Sequence, residues 1–158
     1  MSDANTSPAP QITAGPQLDD ALAREVMGWP APTLYGMAIA SRVLDGKAEP
    51  PSPDEAASEV YVLKSDEDFQ CLRREAWRPS LDPACMVSVI DRMRELGYAY
   101  QAVAPAAAGT PFVVIFQSQA KIHPYPPGQA GSPILQLSTA AAALIAIRAR
   151  GKLIAARN

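Results

Sequence analysis

Trp77-Arg-Pro-Ser-Leu-Asp-Pro-Ala-Cys-Met-Val-Ser-Val-Ile-Asp-Arg-Met-Arg-Glu-Leu-Gly97 is the stretch from which the fold can be read. Asp82 is a helix cap, and Pro83 suits the first helical turn because the N–H it lacks would be unpaired there. Met86, Val89, Ile90, Met93 and Leu96 recur at the three- and four-residue steps of one helical face. Gly97 supplies the left-handed stop. Burying five such side chains stabilises by roughly 1.5–3 kcal/mol each, on the order of ten in gross terms. This helix is therefore expected at the centre of the core.

Two strands should follow it. Tyr98–Ala104 alternates in character, and Phe112–Gln117 is a nearly continuous apolar run, as expected of a strand covered on both faces. The connector between them suits an antiparallel hairpin. Beyond lies a proline-rich loop, Ala120–Gly131, after which Ser132 caps and Pro133 opens a last, alanine-rich helix that Gly151 ends. Residues 152–158 then form a tail.

Upstream, Pro16–Met27 reads as a helix with Leu18, Leu22 and Val26 on its apolar side. Asp19 and Asp20 lie in its first turn, where the dipole favours negative charge. Residues 1–15, small and proline-rich, read as a disordered lead-in. Residues 30–76 read as an inserted region. Within it Leu34–Leu44 fits a short helix or a strand, and Lys47–Asp54, with three prolines, is a loop. Glu59–Lys64 has strand composition. Asp66–Glu75 fits a short helix, and an extended Phe69–Trp77 fits equally well. The whole is one α+β domain over 16–151: a small antiparallel sheet packed with about three main helices.

Composition argues against several function classes. The 158 residues carry 14 basic and 16 acidic side chains, a net charge of −2, where a general nucleic-acid binder normally shows a basic excess. No apolar run is long enough to span a membrane and the first residues are no signal peptide, so a cytoplasmic protein is expected. Cys71 and Cys85 read as buried, reduced thiols. Two cysteines and the single histidine at unrelated spacings make no metal site, and no phosphate loop or dinucleotide fingerprint occurs. No cofactor is expected. Catalysis would have to use His123, which lies in the proline-rich loop with no nucleophile motif beside it.

Two sets of residues stand out as binding groups. Arg73, Arg74 and Arg78 cluster beside Trp77, with Ser80 next in line; arginine forks suit phosphate or carboxylate, and tryptophan can stack on a base. The competing reading packs Trp77 on the core and pairs the arginines with Glu75 or leaves them in solvent. His123 and Tyr125 in the rigid loop, with Arg148 and Arg150 near the C-terminal end, form a second set suited to contact with a partner protein.

Three segments also resemble the phage ABA sandwich domain family. Leu18–Trp29, ending in Val-Met-Gly-Trp, is similar to that family's opening helix. Arg78-Pro-Ser-Leu-Asp82 is similar to its Pro-Ser-Thr-Asp entry, with Leu81 in place of the threonine, and Ser132-Pro-Ile134 to its Ala-Pro-Leu start. The resemblance implies a small phage-encoded α+β protein and carries no catalytic residues. The leading expectation is a non-enzymatic accessory protein that binds a host protein, such as a defence component, and self-associates through apolar helix faces. The alternative is a protein that sequesters a small anionic ligand, a nucleotide second messenger.

Overall fold

Residues 12–158 are described by the computed structural model, so most of the expected lead-in lies outside the described residues. In chain order they form α1 (Pro16–Glu25), β1 (Thr33–Leu34), α2 (Tyr35–Ala38), α3 (Ala40–Leu44), α4 (Pro53–Ala56), β2 (Glu59–Lys64) and β3 (Gln70–Arg73). A 3₁₀ turn (Arg74–Ala76) leads to α5 (Pro83–Glu95), β4 (Tyr98–Val103), β5 (Phe112–Ser118), β6 (Gly128–Ser132) and α6 (Leu135–Arg157). The fold is α+β, with two antiparallel three-stranded sheets ordered β1-β2-β3 and β4-β5-β6.

The opening stretch folds as its residues dictate. The Asp82 carboxylate accepts the Ala84 N–H at 2.8 Å at the start of α5, and Gly97 adopts φ 89° just past its end. Val89, Ile90 and Met93 are buried, while Met86 and Leu96 are half-buried at the margin. These residues join Leu18 and Leu22 of α1, Val26 just past its end, Tyr98, Val114 and Phe116 of the second sheet, and buried alanines and Leu144 of α6 in one core.

In the second sheet Tyr100 lies opposite Phe116, and Phe116 opposite Gly128. One face of β5 is packed more fully than the other: Val114 and Phe116 are buried, Val113 and Ile115 are half-buried, and Gln117 is exposed. The apolar run expected to be covered on both faces is thus covered only in part on the second. The last helix lies against the packed face, with Ser138 through Leu144 all buried. Small side chains let it come close. A Cβ on Gly128 would sit 2.0 Å from the Ala142 carbonyl oxygen, so that position accepts only glycine.

Four expectations need correction. Gly128–Ser132, expected to lie in a loop and a helix cap, is strand β6; its pairing with β5 outweighs its weak strand propensity. Ser132 does accept the Ile134 N–H, at 3.1 Å, but the helix begins only at Leu135. Gly151 does not end that helix, which continues to Arg157, so most of the expected tail is helical. The thiols of Cys71 and Cys85 are free but half-buried rather than fully buried.

The stretch before the central helix, expected as an insertion, builds the first sheet. β2 has the expected bounds, and β3 followed by the 3₁₀ turn resolves the next segment in favour of extended chain. Leu34–Leu44 is mainly two short helices. Ser52 and Glu55 cap α4 reciprocally and close the proline loop. Tyr61 of β2 is fully buried and belongs to the same core as the helices. No helix among the described residues is long and apolar enough to cross a membrane.

Candidate functional site

The first turn of α1 faces the link between β3 and α5. Asp19 and Asp20 project from α1, and opposite them the chain turns through Arg74, Trp77 and Ser80. Trp77 is 3% exposed and packs edge-on against Trp29 with ring centres 4.6 Å apart. Its indole N–H donates to the Asp19 carbonyl at 2.9 Å. Trp77 is therefore a wall, anchored in the core, and not a platform on which a base stacks.

Asp19 is also 3% exposed. Its Oδ1 accepts the Ser80 N–H at 3.0 Å, and the Ser80 Oγ in turn accepts the Gly15 N–H at 3.2 Å. Burial pushes the Asp19 carboxyl above its ordinary value, only partly offset by the hydrogen bonds from Ser80.

Asp20 behaves in the opposite way. Burial pushes its carboxyl up, but hydrogen bonds from Arg74 and the Tyr61 hydroxyl outweigh it, and the net shift is downward. Arg74 grips Asp20 through Nε, at 3.0 Å, and Nη2, while Nη1 donates to Glu59 Oε2 at 2.7 Å. Its guanidinium is thus spent on tying α1 to the first sheet. These hydrogen bonds hold Arg74 firmly protonated. Burial first, and then the bond to Asp20, raise the Tyr61 phenol.

Between these elements lies a cavity of about 530 Å³, lined by Asp19, Asp20, Arg73, Arg74, Trp77 and Arg78 among others. Four of the five ligand-binding residues expected from sequence therefore meet at one hollow. The fifth, Ser80, is fully buried and holds Asp19 from behind without lining the hollow. Asp19 and Asp20 were legible in the sequence only as dipole-stabilising acids. The one available signal was the place of Asp19 beside Leu18 and Leu22 on the buried side of α1.

The cavity lining sets three arginines, Arg73, Arg74 and Arg78, among four acids, Asp19, Asp20, Glu59 and Glu75. Arg74 bridges Asp20 and Glu59, and Arg73 lies 3.7 Å from Glu75. Arg78 is exposed and has no ion-pair partner among the described residues.

The second set of expected contact residues does not line this cavity. Arg148 holds both oxygens of Glu25 at 2.9 Å, joining α6 to α1. Arg150 lies 4.6 Å from the centre of the half-buried Tyr125 ring and donates to the Leu96 carbonyl at 3.2 Å. His123 is exposed, with φ 55°. Among the described residues no three His, Cys, Asp or Glu side chains are grouped as a metal site. No family model matches the chain, and comparison with curated proteins and with solved structures finds no match.

Proposed function

We propose that this protein works by binding, and that the cavity between α1 and the β3–α5 link holds a small ligand bearing a phosphate or similar anionic group. The observation that carries this reading is Arg78, a guanidinium on the cavity lining with no ion-pair partner among the described residues. A planar fork of donors suits a phosphate oxygen pair, and Arg73 lies on the same lining with only a long contact to Glu75. The volume falls in the range of about 300–1,000 Å³ usual for small-molecule sites, which admits a nucleotide.

Binding without turnover is sequestration. In the phage setting suggested by the resemblance of Leu18–Trp29, a nucleotide signal is the ligand we favour. The host-protein reading has less support, since Arg148, Arg150 and Tyr125 are engaged within the fold. A thermal-shift screen against mono-, di- and cyclic nucleotides tests the proposal. A shift with one class that Arg78→Ala abolishes supports it. No shift with any, or a shift that Arg78→Ala leaves intact, rejects it.

A further inference from the structure

From Gly97 to Ala120 the chain contains no Asp, Glu, Lys, Arg or His. That span is the β4–β5 hairpin, and β4 is an edge strand of its sheet. The Gln119 N–H donates to the Gly97 carbonyl, which fixes the hydrogen-bonding phase of the pair. Ala99, Gln101 and Val103 therefore bond to β5, while the N–H and C=O groups of Tyr100 and Ala102 point away from it. These outward groups have no other backbone hydrogen bond among the described residues. Gln101, Ala102 and Val103 are exposed, Val103 by 49%.

Sheet edges are commonly protected from further pairing by charge, proline, a bulge or brevity. The other edges show such devices: β1 has two residues, β3 ends at Arg73 and pairs through an irregular register, and β6 has α6 packed against it. β4 has no charge, proline or bulge; α5 packs against it, but its Gln101–Val103 end is exposed. Its register with β5 is unbroken over six residues.

We infer that β4 pairs with β4 of a second copy of this chain, antiparallel about a two-fold axis near Gln101 and Ala102. A strand can meet its own copy antiparallel in an isologous contact, each outward N–H finding an outward C=O. The uncharged hairpin brings no like charges together across such an axis. The hairpin also carries no charge that would select a foreign strand by complementarity. This inference is independent of the ligand cavity.

Sedimentation of the full chain, with two variants, tests it. Ala102→Pro removes an outward N–H while sparing every bond to β5, and proline is tolerated on strand edges. Gln101→Lys places two like charges close together across the axis on an otherwise exposed surface. The expected result is a wild-type dimer and two monomeric variants with wild-type far-UV circular dichroism. Should Ala102→Pro misfold, Gln101→Lys decides alone. A wild-type monomer, or a dimer that persists in the folded variants, overturns the inference.

Discussion

The Trp77 indole donates to the main-chain carbonyl of Asp19 at 2.9 Å, across 58 residues of sequence. This bond fastens the link before α5 to the first turn of α1, with Trp77 buried behind it. Trp77→Phe keeps a ring in the core but loses the bond and some volume. A loss of about 1–3 kcal/mol is expected from urea unfolding, and about 3–5 kcal/mol for Trp77→Ala.

Asp19 should make a pH-dependent contribution of known sign. Its folded carboxyl binds a proton more readily than the unfolded one, whose ordinary value is 3.8. That difference favours folding below 3.8, and the benefit is lost as pH rises through the folded value. An asparagine in its place could still accept the Ser80 N–H through the amide oxygen. Asp19→Asn is therefore expected to match or exceed the wild type in stability at neutral pH, with the difference closing in acid. Asp19→Ala strands the buried Ser80 N–H and should cost about 1–3 kcal/mol. Denaturant midpoints across a pH series check both.

The Arg74–Asp20 contact has the opposite dependence. The Asp20 carboxyl is held below 3.8, so its stabilisation is present above that value and lost as pH falls through the lowered one. Lysine at position 74 cannot reproduce a fork that serves Asp20 and Glu59 together. Both side chains are partly solvated, which limits the effect. Arg74→Lys should cost about 1 kcal/mol near neutrality, and less in acid, as followed by thermal unfolding at several pH values.

Much of this architecture could be read from local pattern. The caps and spacing around α5, the strand composition of Glu59–Lys64 and the two strands after Gly97 are properties of neighbouring residues, and each formed as expected. β6 was hidden because Gly-Gln-Ala-Gly-Ser has no branched or aromatic side chain; it is extended because β5 pairs with it and α6 packs on it. Adjacency likewise grouped Arg73, Arg74, Trp77 and Arg78. Glu75, next to the cluster, was legible as a partner and lies 3.7 Å from Arg73, but Asp20 was not, since it meets Arg74 across 54 residues and only the folded chain joins them.

The closeness of β6 to α6 gives the sharpest stability prediction. A methyl group at Gly128 would meet the Ala142 carbonyl oxygen at 2.0 Å and the Ala146 backbone nitrogen at 2.6 Å. The carbonyl and the nitrogen belong to the backbone of α6, so no side-chain rotation relieves the clash. The strand would have to move off the helix, exposing Phe116 and the buried alanines. Gly131, on the same strand, has nothing nearer than 3.6 Å to the equivalent methyl. Gly128→Ala is therefore expected to lose about 3 kcal/mol or more. Gly131→Ala should change stability by less than about 1 kcal/mol, since the added methyl makes only ordinary contacts. Parallel denaturant curves distinguish the two, and equal stability of the variants would show that β6 does not approach α6 so closely.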